Sequence, residues 1–240
     1  MIGRLALALA AMAAPAAAQV VSFPKECTGV VTVQSADCSV LAAARCVYDG
    51  QEVLRTQVYD VDGLENIEEQ TLDWSLRFSV TPRDGTGIVL NDAEHDELSR
   101  DSLQRYGEDF FNYDIVFAVP GMGEFDTELT GMMVSQGEEV EIDGHTLDLY
   151  RFRLAATLGE AGTLEVDQTA YGSAEFGLFL NGKGVQRFDG AESELNSTPV
   201  LFFEPGEAGF DSAAPKINCG VTDISAPLLL PDVQVPGNGA

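Results

Sequence analysis

Residues Asp148–Ala156 read DLYRFRLAA. Tyr150, Phe152 and Leu154 alternate with Arg151 and Arg153. In an extended chain, successive side chains point to opposite faces, so the aromatic residues share one face and the arginines the other. This is the pattern of a half-buried strand. Phe110–Pro120, FFNYDIVFAVP, repeats it with Phe111, Tyr113, Ile115, Phe117 and Val119 on one side, and Pro120 ends the run. Leu72–Val80, LDWSLRFSV, reads the same way, with Leu72, Trp74, Leu76, Phe78 and Val80 opposite Asp73, Ser75, Arg77 and Ser79.

Turn chemistry separates such runs. Asp49-Gly50 and Asp143-Gly144 lie between strand-like segments, where a two-residue hairpin turn needs positive φ. Asn181-Gly182, within FLNGKGVQRF, predicts a further hairpin, and PVLFFEP (199–205) predicts a short apolar strand. The pattern amounts to about ten strands. One helix is expected in HDELSRDSLQRYG, with Leu98, Leu103 and Tyr106 on one side and Gly107 as its stop. GLENIEEQ (63–70) reads as a helical turn or a polar loop. The predicted fold class is mainly β: an antiparallel, curled sheet, or a β-sandwich or half-barrel, with one or two short helices. Its apolar face is expected to carry Trp74, Phe78, Phe117, Tyr150 and Phe152.

The chain opens MIGRLALALAAMAAPAAAQ. A basic residue, an apolar run and a small-residue A-x-A exit follow in the order of a secretory signal, with cleavage expected after Ala18. Residues 19–221 are then expected to form one β-rich domain. From 222 onward proline and glycine accumulate without periodicity, which predicts a loosely held tail (222–240). No later run is long and apolar enough for a transmembrane helix. An exported protein, periplasmic or extracellular and not integral to the membrane, is the expectation.

Export decides how the cysteines are read. Cys27, Cys38, Cys46 and Cys219 would sit in an oxidising compartment, and an even number fits two disulfides. No close C-x₂-C pair points to zinc or to a redox motif. Pairing depends on the conformation of Ser39–Arg45. A helix there would hold Cys38 and Cys46 about 12 Å apart along its axis, too far to bridge. A strand folding back on GVVTVQ would bring Cys46 to Cys27 and leave Cys38 for Cys219. The alanines favour helix, and the hairpin signal that follows favours strand. In either case Cys219 must reach the N-terminal segment.

The 13 Lys and Arg face 39 Asp and Glu, for a net charge of −26. Lys25, Lys183 and Lys216 are the only lysines. Such a charge argues against nucleic acid or an anionic membrane surface as partner. Nucleophilic catalysis finds no G-x-S-x-G elbow. His95 sits in the polar run NDAEHDEL, and His145 follows the Asp143-Gly144 turn, where an exposed position is expected. The acidic group Asp92, Glu94, Asp96 and Glu97 reads as a solvated loop. VYDVDGLENIEE partly matches a calcium loop, with Asp60, Asp62 and Glu69 at ligand positions, but Val58 stands where the first ligand belongs. No cofactor is expected.

The reading that follows is an exported, soluble, non-catalytic β-rich protein of the cell envelope. It would have a binding or accessory role toward a protein or an apolar ligand. A hydrolase built on paired carboxylates and a calcium-stabilised extracellular module are the alternatives. An apolar ligand would require a sheet-lined cavity.

Overall fold

The computed structural model describes residues 20–90, 96–121, 123–158 and 162–219. The predicted signal peptide, the tail from 222, Asp92, Glu94 and His95 lie outside the described residues. The chain forms β1 (Cys27–Ser35), β2 (Val40–Tyr48), β3 (Gln51–Asp60), β4 (Gly63–Thr71), β5 (Leu76–Thr81) and β6 (Thr86–Leu90). Helix α1 (Arg100–Tyr106) follows, then β7 (Glu108–Val119), β8 (Gly123–Ile142), β9 (His145–Thr157), β10 (Thr163–Ser173), β11 (Leu178–Phe188), β12 (Ala191–Asn196) and β13 (Pro199–Phe203).

All 13 strands belong to one antiparallel sheet in the order β12-β11-β10-β9-β8-β7-β6-β5-β4-β3-β2-β1-β13. Twelve strands meander, and the thirteenth pairs with the first. That order dictates the shape. Laid flat, the sheet would be roughly 55–60 Å wide. Only Ser197 and Thr198 separate β12 at one edge from β13 at the other, and so short a link spans roughly 10 Å. The sheet must therefore roll until its edges meet. At the meeting point Ser197 N donates to Gly182 O, and Ala36 N donates to Thr198 O.

Paired residues in an antiparallel ladder point the same way, so one face can be followed round the roll. Val31, Ala43, Thr56, Glu68, Ser79, Ile88 and Phe117 form such a row. The same face continues through Tyr113, Leu129, Ala156, Leu164 and Phe188. Over β5–β11 it encloses a core of Trp74, Phe111, Tyr113, Ile115, Met133, Tyr150 and Phe152, joined by Leu98 and Leu103 beside α1. Over β1–β3 and β13 the same face meets a different surface. Val31, Val33, Ala43, Leu54 and Phe202 pack on Leu147, Leu178 and Leu180, whose ladder positions put them on the back of β9–β11. The sheet thus overlaps itself, with β13-β1-β2-β3 lying outside β9–β11. The outside of that outer layer is covered in turn by the segments around Val21 and Ala213.

Two disulfides form, Cys27–Cys46 within the outer layer and Cys38–Cys219 between that layer and the terminal segment. Ser39–Arg45 is extended, so the strand alternative holds: Cys27 and Cys46 lie directly opposite each other on β1 and β2. GLENIEEQ is also a strand, β4, not a helical turn or loop. One of its acids is paired across the ladder, Glu69 with Arg55 at 2.6 Å. LDWSLRFSV is not one strand. Trp74 takes a left-handed conformation (φ 72°) in a turn, and β5 begins only at Leu76. A bulge then pairs Leu76 with Gln70 and Phe78 with Glu69, which turns Phe78 to the opposite face from Leu76. Asn181-Gly182 makes no hairpin. β11 runs through it with a register shift against β10, and the reversal comes at Asp189-Gly190, both at positive φ. Asp49-Gly50 and Asp143-Gly144 turn as expected, with both residues of each pair at positive φ. Among the described residues α1 is the one helix. Ser99 Oγ accepts from Ser102 N at its start, and Gly107 (φ 80°) closes it. Leu103 is buried, but Tyr106 is 70% exposed and does not join the core side.

Candidate functional site

Four of the five aromatic residues predicted to share a face do so. Trp74, Tyr150 and Phe152 are buried in the inner core, and Phe117 is packed against it. Trp74 meets Tyr150 edge-on at 6.0 Å and Phe179 at 5.8 Å, and Phe111 stacks on Phe152 at 5.8 Å. The indole Nε1 donates to Gly177 O at 2.9 Å, which ties the β4–β5 turn to the β10–β11 turn. A Cβ on Gly172 would come within 2.7 Å of the Tyr150 ring and 2.9 Å of Trp74. This face is filled by its own side chains. Phe78 lies on the other side, under the Arg55 guanidinium at 5.8 Å.

The three residues of the calcium pattern are divided. Asp60 and Asp62 share the β3–β4 turn, where Asp60 Oδ1 accepts from Asp62 N and from Arg83. Glu69 lies six residues from Gly63 along β4, roughly 20 Å away in an extended chain, and is engaged by Arg55.

Two features stand out on the part of the outer face of β7–β10 that the overlapping layer leaves open. Phe110, Met132, Arg153 and Asp167 form one ladder row, and Val134 and Arg151 sit in the next. Phe110 is 56% exposed. Arg151 grips Asp167 through Nε and Nη2, both at 2.7 Å, and Arg153 Nε adds a contact at 3.1 Å. The Arg151 hydrogen bond holds the Asp167 carboxyl below the usual carboxylate range. One carboxylate between two arginines leaves a net positive charge. Beside them a recess of about 230 Å³ opens among Gln136, Tyr150, Arg151, Gln168 and Lys183. It lies near two ladder shifts, one between Ser135 and Glu139 and one between Gln168 and Ala170. Bulges of this kind re-aim side chains and recur beside binding sites.

A second cluster lies where the outer layer crosses the β8–β9 hairpin. His145 at the start of β9, Glu175 in the β10–β11 turn and Glu204 just after β13 bring one ligand atom each within 4.8 Å of one another. His145 Nδ1 stands 2.9 Å from Glu175 Oε2. The ring is not the exposed hairpin-end group expected from sequence. Its side chain is 15% exposed, packed against Phe202 at 4.8 Å and Phe176 at 5.2 Å. The three residues are 30 and 29 positions apart, so no local motif announces them. Only the overlap of the roll assembles them.

One more carboxyl is set apart by its surroundings. Glu68 points into the roll with Thr56 and Ser79 as ladder neighbours. Its residue keeps some contact with solvent, yet protein surrounds the carboxyl, and burial pushes it up to about 7. No family model, curated protein or solved structure matches the chain.

Proposed function

We propose that the chain is exported and works as a non-catalytic binding or accessory protein of the cell envelope. It meets a protein partner through the uncovered part of the outer face of β7–β10. The observation that carries this reading is the combination on that face: an exposed Phe110 with Met132 and Val134, beside two arginines sharing one carboxylate. Aromatic and arginine groups are the side chains that most often anchor interfaces. In a chain of net charge −26 the two arginines sharing one carboxylate reduce the local repulsion toward an acidic, partly apolar partner. The inner aromatic face favours the same choice, since Trp74, Tyr150 and Phe152 are spent on internal packing. Two disulfides and an N-terminal stretch of secretory type support export.

The test is photo-crosslinking in the intact host. A photoreactive residue is placed at Phe110 or, as a control, at exposed Val61 on the β3–β4 turn. The envelope fraction should hold a chain starting at Gln19, crosslinked from position 110 but not from 61. Arg153→Ser should reduce that crosslink several-fold without changing the circular dichroism. Equal crosslinking from both positions, or recovery of the chain only in the cytoplasm, would overturn the proposal.

A further inference from the structure

The geometry points to a zinc site formed by His145, Glu175 and Glu204 at the seam of the roll. The three come from separate elements: β13 is hydrogen-bonded to the β8–β9 turn, and the β10–β11 turn is closed on itself and meets β13 through ring stacking. Phe202 N, two residues before Glu204, donates to Asp143 Oδ2, two residues before His145, at 2.8 Å. Phe176 N, next to Glu175, donates to Ser173 Oγ at 3.2 Å. Phe176 and Phe202 stack at 6.0 Å and flank the imidazole. The ring is therefore oriented by packing before any ion arrives, which is what a supporting shell must do.

The donor set selects the ion. One imidazole nitrogen and two carboxylates make a three-ligand set that leaves a fourth tetrahedral position for water, an arrangement zinc accepts. Calcium prefers six to eight oxygens and gains little from imidazole. Ligand atoms on tetrahedral zinc lie roughly 3.3–3.5 Å apart, and those here are within 4.8 Å. The remaining closure falls to the glutamate side chains, and Glu175 at 55% exposure is free to swing. Electrostatics favours the same outcome. Glu175 and Glu204 are held close together in a chain of net charge −26, and a dication relieves that repulsion. The competing arrangement is a simple ion pair in which a protonated His145 sits between the two carboxylates. The site is independent of the partner surface proposed above. It would fasten β13 to the β8–β9 hairpin and the β10–β11 turn.

Zinc titration of the oxidised, exported chain decides the matter. Calorimetry in excess calcium should show one equivalent of Zn²⁺ bound, with a rise in melting temperature that chelator reverses. Co²⁺ in place of zinc should give the visible absorption of a tetrahedral centre. His145→Gln and Glu204→Gln should each weaken binding roughly 100-fold or more, since even supporting residues of metal sites carry 10- to 100-fold effects. Glu192→Gln, on the far edge strand, should leave it unchanged. If His145→Gln does not fold, the exposed Glu175→Gln serves in its place. Failure to bind one equivalent, displacement by calcium, or binding that survives His145→Gln or Glu175→Gln would overturn the site in favour of the ion pair or of diffuse acidic binding.

Discussion

Glu68 shows how far a single residue depends on what the roll places around it. In the sequence it is one acid of several in GLENIEEQ, indistinguishable from Glu65 or Glu69. In the fold Glu69 faces out and is met by Arg55, while Glu68 faces in and is pushed up to about 7 by burial. Its effect on stability has a definite sign. The unfolded chain releases the proton near 4.5, and the folded chain holds it to about 7. Raising the pH across that window therefore favours unfolding, and above it the penalty is constant. Glu68→Gln should match the wild type in stability below about pH 4.5 and exceed it increasingly up to pH 7, by at most about 3 kcal/mol. Urea unfolding of both proteins from pH 4 to 8 measures the difference, and a difference independent of pH would show that Glu68 is as well solvated folded as unfolded. Trp74 carries the same lesson for legibility. Alternation placed it rightly in the core, but its left-handed conformation and the bulge that follows were invisible to a pattern of period two. Phe78 was misplaced for that reason.

At the scale of elements, the strands with one covered face were the ones legible in the sequence. β7 and the Tyr150–Thr157 part of β9 alternate because one side meets the aromatic core and the other is open to water. β2 does not alternate. Ala42, Ala43 and Ala44 are all at most 1% exposed, since β2 has the overlapping layer on one side and the terminal segments on the other. A strand covered on both faces reads as a continuous apolar run, and alanine adds a misleading preference for helix. Tertiary packing overrides that preference, and small side chains let the layers approach. Ala43→Leu should therefore destabilise by about 1–3 kcal/mol through overpacking, although leucine is the more apolar residue. Thermal unfolding monitored by circular dichroism tests this, and an unchanged or raised melting point would mean that a void lies between the layers. β4 is not legible for a related reason: its outward Glu69 is paired with Arg55 on the neighbouring strand, and a single sequence does not show the pairing. Asn181-Gly182 failed differently. Its glycine serves close approach, because a Cβ on Gly182 would sit 2.7 Å from the Tyr171 ring, so a turn signal marked a bulge instead.

For the whole molecule, the two disulfides do unequal work. Cys27–Cys46 joins residues 19 apart that the β1–β2 ladder already holds side by side. Cys38–Cys219 spans 181 residues and fixes the last described turn of chain against the outer layer. That terminal segment is also held by the packing of Ala213 in the cluster with Val40, Ala42 and Tyr59 and by polar contacts that include Gln34 Nε2 to Ala214 O, Lys216 N to Gln34 Oε1 and Asp211 N to Thr32 Oγ1. Gln34 and Thr32 are fully buried and bonded to it, so its release would break those bonds. Loop entropy alone assigns about 5 kcal/mol to the long bridge and about 3 kcal/mol to the short one. The Cys38→Ser/Cys219→Ser pair should then lower the melting temperature by roughly 10–20 °C, and the Cys27→Ser/Cys46→Ser pair by roughly 6–12 °C. The manner of loss should differ as well. Without the long clasp, the terminal segment can peel away while the inner aromatic core stays closed, because that core is built from β5–β11 and α1. Hydrogen exchange in the Cys38/Cys219 variant should therefore accelerate first in β1, β2 and β13, with β7–β10 still protected. Uniform acceleration across all thirteen strands would mean that the layers unfold as one unit, and that the overlap, not the clasp, sets the stability of the roll.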